Sequence, residues 1–279
     1  MNNNILIIES GSSKADWALI RENTVSRSQT LGMNPSHQSD FSFALAESGI
    51  CEMLKVAEEI VFYGAGVSST IGAETVKKNL QVYTQSPVHV YTDLMAAARA
   101  CLGNKKGIVG ILGTGANSCY FDGKEAHSPL PSMGYIFSDE GGGCYIGREI
   151  VKAYFYSDMP LEVEGLFFKK YKIEREDVIK SMYREYKGPA YLASFVPFLN
   201  DVEGEWKNML LTNCFDAFIK TWIQRIEGHT TLPIHMIGSI ACHFQRELTT
   251  QFNAYGLEVT SFMQRPMDGL IDYHKHILA

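Results

Sequence analysis

Basic clusters are missing from this sequence. Lys and Arg number 25 against 31 Asp and Glu, for a net charge of −6. A nucleic-acid footprint needs Lys and Arg gathered on one face or stripe, so nucleic acid is excluded as a partner. A small anionic substrate must then be held locally, by backbone amides and a metal ion, not by a global positive field. No C-x-x-C pair occurs among the six cysteines at 51, 101, 119, 144, 214 and 242. That spacing excludes a zinc cage, a thioredoxin-type site and a secreted disulfide framework. Free thiols in apolar surroundings fit a reducing cytoplasm, which is the expected location. No apolar stretch reaches the length of a membrane span. The N-terminal segment has no basic n-region and only a short apolar run at 5–8, so neither a signal peptide nor a membrane partner is expected. The eight His show no metal spacing, and His274 and His276 on the last helix are expected at the surface. There is no G-x-x-x-x-G-K-[ST], which excludes P-loop chemistry. Short-period repeats and low-complexity linkers are absent as well.

What is present suits two domains of about 100–200 residues each in a chain of 279. Hydrophobic content of 46% with 20% charged residues is ordinary globular composition. The continuous apolar run at 5–8 reads as a buried strand. A small-residue turn follows, then returning strands at 15–20 and 24–31. Helical patterns at 41–54, 70–80 and 93–102 alternate with strands at 59–64 and 88–92. Asp93 is placed to cap the Ala-rich helix that begins there. Residues 107–112 are apolar again and lead into Gly113-Thr114-Gly115-Ala116-Asn117, with a return at 118–121. From 144 to about 227 the pattern is mainly helical, broken near Gly188-Pro189 and Glu203-Gly204. A strand at 233–238, a helix at 240–252, a strand at 257–260 and a closing helix at 268–277 complete the chain. The aromatic groups at 154–156 and 167–168 read as core.

Residues 5–20 and 108–121 share one plan: apolar strand, small-residue turn, returning strand. That self-similarity predicts two related domains, 1–104 and 105–279. The second carries a helical insertion, and the final helix has room to pack back on the first. Glycine-rich turns after strands let backbone N–H groups approach a ligand closely. The hydroxyls of Ser12, Ser13 and Thr114 add donors for phosphate oxygens. By residue type alone, ordinary hairpin turns remain an equal alternative. Gly64-Ala65-Gly66 is a partial dinucleotide fingerprint that lacks its third glycine, where Ser69 stands, so dinucleotide binding is not favoured.

These motifs carry a resemblance. Glu9-Ser10-Gly11-Ser12-Ser13-Lys14 is similar to the first phosphate motif of the acetate kinase, sugar kinase, chaperone and actin ATPase superfamily. Gly113-Thr114-Gly115 is similar to its second. The stretch from Val90 through Asp93 to Ala98 resembles the connecting helix that starts with the catalytic Asp, and Ile234 to Ser239 resembles the adenosine motif. Asn34-Pro35, Gly134 and Ser138-Asp139-Glu140-Gly141 match the pattern of N-acetylglucosamine kinases and their BadF/BcrA-type ATPase relatives. The match runs in order along nearly the whole chain.

The resemblance implies an α/β protein of two ribonuclease H-like, actin-like ATPase lobes. Each would be a mixed five-stranded sheet flanked by helices, with a cleft between them. It implies ATP and Mg²⁺ as cofactors. Gly11, Ser12, Ser13, Lys14, Gly113, Thr114, Gly115, Gly238 and Ser239 would bind ATP. Asp93 would be the general base, with a plain helix cap as its alternative role. Asn34, Gly64, Asp93, Ala116, Asn117, Met133, Gly134 and Asp139 would meet the acceptor sugar. For Asn34 the alternative is a plain turn. For Asp139 and Glu140 it is a solvated loop, or a helix start and anion nest through the glycines at 141–143. Glu9 would hold Mg²⁺ through water, although the family usually carries Asp there. Met133 stands where the kinases tend to have an aromatic. The implied activity is ATP-dependent phosphorylation of the primary hydroxyl of an N-acetylated amino sugar, N-acetylglucosamine or N-acetylmuramic acid, by a protein able to form a homodimer. The alternatives are an ATPase activator of a 2-hydroxyacyl-CoA dehydratase-type system, which needs cysteines at a dimer seam, and a non-catalytic sugar or nucleotide sensor.

Overall fold

The computed structural model describes residues 4–11, 14–22, 24–36, 38–185 and 188–278. The chain divides into two compact units. One comprises Met1–Lys105, Gly123–Ala126 and Arg265–Ala279; the other comprises Lys106–Asp122 and His127–Gln264.

The first unit holds β1 (Ile5–Ser10), β2 (Lys14–Arg21), β3 (Thr24–Leu31), α1 (Ser42–Leu45), α2 (Ser48–Val56), β4 (Glu59–Gly64), α3 (Thr70–Gln81), β5 (Val88–Thr92) and α4 (Asp93–Leu102). Its sheet runs β3-β2-β1-β4-β5. The β1–β2 and β2–β3 pairs are antiparallel, and β1–β4 and β4–β5 are parallel. Strand β1 is apolar over residues 5–8 because both its faces are covered there. Leu6 and Ile8 pack with Phe41, Leu45, Leu54 and Val76 on one side. Ile5 and Ile7 pack with Ala96 and with Met267, Leu270 and Ile271 of the closing helix on the other.

The second unit repeats the plan. It contains β6 (Gly107–Leu112), β7 (Ala116–Phe121), the short β8 (Ala126–His127), β9 (Ile234–Ile237) and β10 (Val259–Met263), in the order β10-β9-β6-β7-β8. Again an antiparallel hairpin, β6–β7, adjoins parallel neighbours. Its helices are α5 (Gly143–Phe155), α6 (Leu161–Tyr171), α7 (Arg175–Ile179), α8 (Gly188–Ala193), α9 (Glu205–Phe218), α10 (Ser239–His243) and α11 (Gln245–Ala254). The closing helix α12 (Met267–Leu278) returns to the first unit. Each unit is thus a mixed five-stranded sheet flanked by helices.

Several local expectations are corrected. The pattern at 41–54 splits into α1 and α2 because Glu47 is extended, with φ −61° and ψ 131°. The pattern at 240–252 splits at Phe244. The expected break near Gly188-Pro189 is present: the helical run before it ends with Glu185 as its C-cap, and α8 starts at Gly188. The cap of α4 is Thr92, whose hydroxyl accepts the Met95 N–H at 3.2 Å; Asp93 already lies in the first turn. His274 is buried, not at the surface, with Nε2 2.9 Å from the Tyr63 hydroxyl. Tyr154 and Phe167 join the core, whereas Tyr156 and Phe168 are exposed. Among the described residues no helix is long and apolar enough to cross a membrane.

Candidate functional site

In the first unit the parallel strands end together. Register pairs Ser10 with Gly64, and Gly64 with Thr92. The C-terminal edge of such strands is where open α/β sheets bind ligands. Asp93 opens α4 at this edge, and its Oδ1 accepts the Leu94 N–H at 2.9 Å. The helix N-terminus there favours a negative charge. Asn34 is buried, and its Oδ1 accepts the Ser36 N–H at 2.9 Å. A Cβ on Gly66, where φ is +80°, would lie 2.2 Å from that oxygen. The glycine is therefore what seats Asn34 against the 64–66 turn. Ser10 ties the same loop to β1, its hydroxyl accepting the Met33 N–H at 2.7 Å.

Glu9 faces Asp16 across the β1–β2 ladder, and like charges placed opposite destabilise a hairpin. Burial, then Asp16 and then Asp93 push the Glu9 carboxyl up from 4.5 to about 7, with Arg265 opposing. Three carboxylates against one guanidinium leave surplus negative charge. Among the described residues no three His, Cys, Asp or Glu form a direct metal cage. One or two carboxylates acting through water are, however, what Mg²⁺ ordinarily takes, so the donor set fits. Gly11 donates to the Lys14 carbonyl at 3.0 Å and closes the hairpin, and Lys14 is exposed. Ser12 and Ser13 lie outside the described residues.

In the second unit the 113–115 turn is fixed by what packs on it. The Gly113 N–H donates to the Gly115 carbonyl at 3.0 Å. Asp139 Oδ1 accepts the Ala116 N–H at 3.0 Å, and Oδ2 lies 3.7 Å from Cys144 Sγ. A Cβ on Gly115 would meet the Asp139 carboxylate at 2.8–2.9 Å. Asp139 itself has φ +67°, and burial raises its carboxyl above the usual range. This Asp is neither a solvated loop residue nor idle; it braces the turn. Glu140 accepts from the Trp222 indole at 3.0 Å. The glycines at 141–143 do start a helix, but the alternative of an anion nest finds no support. The amides of Gly142, Gly143 and Cys144 are taken by the carbonyls of Asp139, Gly113 and Thr114. Asn117 Oδ1 accepts the Ser118 N–H at 2.9 Å. Met133 and Gly134 sit on an exposed turn, where Ser138 Oγ accepts the Met133 N–H.

Gly238, at φ +119°, lies against this turn: a Cβ there would meet the Leu112 carbonyl oxygen at 2.3 Å. It brings Ser239 and α10 beside Gly113. Here a cavity of about 610 Å³ opens, built wholly from the second unit, within the usual size of a ligand pocket. Gly113, Thr114, Gly143 and Ser239 line it near the turn. Ala193, Val196, Pro197 and Ile240 give it apolar walls, and Asn200, Cys242, His243 and Gln264 complete it. A small-residue turn, apolar walls and a few polar side chains suit a phosphorylated ligand with a flat ring. The motifs located Gly113, Thr114 and Ser239. They missed Asn200, on a 3-10 turn at Val196–Asp201 inside a stretch read only as helical. They also missed His243, one helical turn beyond Ser239, which that spacing could have found.

No protein-family model matches the sequence, and no curated protein matches it. Solved structures do. A candidate N-acetylglucosamine kinase from Porphyromonas gingivalis is 34% identical, with a TM-score of 0.91 over 99% of this chain and 100% of that one. A candidate N-acetylglucosamine kinase from Chromobacterium violaceum is 13% identical, with a TM-score of 0.73 over 98% and 99% of the two chains. A ROK family glucokinase from Streptomyces griseus, solved with glucose and AMPPNP, is 12% identical with a TM-score of 0.52 over 98% and 99%. The last two share the fold, and the first, at its identity and coverage, shows the family: the chain belongs to the N-acetylglucosamine kinase-like group of the sugar kinase and actin-like ATPase superfamily.

Proposed function

We propose that this protein transfers the γ-phosphoryl group of ATP to the primary hydroxyl of an N-acetylated amino sugar, N-acetylglucosamine or N-acetylmuramic acid. The observation that carries the reading is the cavity at the 113–115 turn. Its small-residue turn, the Gly238-Ser239 corner packed on it and its apolar walls suit a nucleoside triphosphate. The similarity to a candidate N-acetylglucosamine kinase supports the acceptor class.

Phosphoryl transfer is largely positioning and charge neutralisation. The acceptor oxygen attacks the γ-phosphorus, the bond to the ADP oxygen breaks, and the hydroxyl proton passes to Asp93. Asn34 and Gly64 at the same strand edge would orient the sugar, and Ala116, Asn117, Met133 and Gly134 are further sugar contacts that the resemblance implies. The cavity would take the nucleotide on Gly113, Thr114, Gly115, Gly238 and Ser239, and the resemblance implies phosphate contacts for Gly11 and Lys14. Asp139 would act by holding the turn in shape. Glu9, beside Asp16, would hold Mg²⁺ through water and so supply charge neutralisation at the phosphates.

The dehydratase-activator reading needs accessible thiols. Cys119 and Cys144 are at most 1% exposed, and burial pushes the Cys144 thiol up to about 12. An ADP-release assay over a panel of amino sugars tests the kinase reading. Turnover on at least one N-acetylated sugar is expected, falling about 10²–10⁴-fold in Asp93→Asn. Unchanged turnover in that variant would remove Asp93 as the base. ADP release with no sugar in the panel would remove the kinase reading.

A further inference from the structure

Helix α4 carries an arginine that the reaction above does not use. Arg99 is half-buried, and its neighbours are aromatic. Its guanidinium lies 4.1 Å from the centroid of the Tyr91 ring, 5.1 Å from that of Tyr273 and 5.6 Å from that of Tyr63. Nη1 donates to the Tyr63 hydroxyl oxygen at 2.7 Å. Among the described residues Arg99 has no carboxylate partner, and its buried Nε has no hydrogen-bond partner. Withdrawing a cation from water without a counter-charge costs stability, and an apolar side chain would fill the place without that cost. Folding alone is therefore a weak account of Arg99.

We propose, resting on the reading of Asp93 as the base, that Arg99 is the positioning residue that holds Asp93 in place. Strand β5 ends at Thr92, where the backbone is extended at φ −72° and ψ 163°, and α4 starts at Asp93. Asp93 thus stands at the apex of a strand-to-helix corner. Tyr91 lies on one arm, two residues before Asp93. Arg99 lies on the other, about 9 Å along the helix from Asp93 at 1.5 Å per residue. The stack of Arg99 on Tyr91 joins the two arms and braces the angle between them. The strand arm is fixed in turn, because Tyr91 pairs with Tyr63 in register and the two rings stack at 5.5 Å between centroids. Arg99 therefore grips β4 through the Tyr63 hydroxyl and β5 through the Tyr91 ring. Helix α12 backs the brace. It comes close because residue 269 has no side chain: a Cβ on Gly269 would lie 2.4 Å from the Ala100 carbonyl oxygen. One turn further on, Tyr273 meets the guanidinium and His274 Nε2 lies 2.9 Å from the Tyr63 hydroxyl oxygen. A planar guanidinium can stack and donate at once, and an alkyl chain does neither. A displacement of about 1 Å at a reacting group can cost about 100-fold in rate, so the brace matters even if its loss moves Asp93 only slightly.

Steady-state sugar phosphorylation by the full-length chain tests this, as a double-mutant cycle between Arg99→Met and Asp93→Asn. Met keeps most of the volume and removes the planar cation. Thermal melts establish that each variant is folded at the assay temperature. Arg99→Met is expected to lower kcat about 10–100-fold, with the KM for ATP unchanged. A residue that serves folding alone would leave the kcat of the folded chain unchanged. On the Asp93→Asn background the same substitution is expected to cost less than about two-fold, because residues that act through one group are not additive. Losses that multiply, or an Arg99→Met chain with wild-type kcat, overturn the inference and leave Asp93 standing as the base. A wild type with no turnover on any amino sugar, or full turnover in Asp93→Asn, overturns both. If Arg99→Met does not fold, Tyr91→Leu removes the other half of the stack and takes its place in the cycle, with the same outcomes expected. Loss of folding in both variants makes the cluster structural and overturns the inference as well.

Discussion

Glu9 is where sequence and physics meet most sharply. As a motif position it marks only a departure, Glu in place of Asp. The structure adds Asp16 directly across the ladder and a carboxyl raised to about 7. A raised acid holds its proton in the folded chain between pH 4.5 and 7, where the unfolded chain has already released it. Its stabilisation is present below pH 4.5 and lost as pH rises through 7. Glu9→Gln is accordingly expected to raise the melting temperature at pH 8 by about 5 °C and to leave it unchanged near pH 4, in calorimetric scans at both values. Activity is expected to fall about 10–100-fold, as for outer-shell carboxylates of a metal. Equal melting at pH 8 would mean that Glu9 does not carry this repulsion.

His274 shows what a one-dimensional pattern conceals. On the sequence it is one of two His on a terminal helix. In the fold Arg99 Nη1 donates to the Tyr63 hydroxyl oxygen at 2.7 Å, which directs the Tyr63 hydrogen to His274 Nε2. Burial and then Arg99 lower this imidazole to about 4. A depressed His contributes stability above its ordinary 6.5 that is lost as pH falls toward 4, about 3 kcal/mol in all. His274→Gln keeps an acceptor for Tyr63 and cannot titrate. Urea unfolding at pH 7 and pH 4 is expected to show its acid loss smaller than that of the wild type by up to this amount.

At the level of elements, the strands were legible because both faces of each sheet are covered, so residues 5–8 of β1 and all of β6 are apolar. The strand at Glu59–Gly64 and the helix at Asp93–Leu102 have their read bounds in the structure. What the pattern cannot carry is a single non-helical residue inside an amphipathic run, which is why the breaks at Glu47 and Phe244 escaped it. Nor can it show which turns touch. Gly113 and Gly238 are over a hundred residues apart, yet one glycine Cβ decides whether they meet. Gly238→Ala would force both a left-handed backbone and a contact with the Leu112 carbonyl. Strain and overpacking each run about 1–3 kcal/mol, so a loss of about 3 kcal/mol or more is expected by denaturant unfolding. ADP affinity, by calorimetry, is expected to fall with it. A variant with wild-type stability and affinity would show that the corner tolerates a side chain.

The whole chain folds as two copies of one plan, and the copies divide the labour by sequence in an uneven way. The cavity uses second-unit residues only, whereas the first unit is completed by the last helix of the chain. Met267, Leu270 and Ile271 of α12 are buried against Ile5, Ile7 and Ala96. At about 1.5–3 kcal/mol for each buried side chain, their removal takes away on the order of 5 kcal/mol, comparable to the entire stability of a typical domain. Truncation after Arg265 is therefore expected to unfold the first unit, seen as loss of amide protection across β1, β4 and α4 in hydrogen exchange. The truncated chain retains every residue of the cavity. ADP at about a hundred times its dissociation constant would stabilise an intact site by about 2.7 kcal/mol. Protection of 113–115 and 239–243 by ADP is expected to persist after truncation, while sugar phosphorylation disappears. If protection by ADP vanished as well, the second unit would depend on the first for its fold, and the cavity would not be self-sufficient.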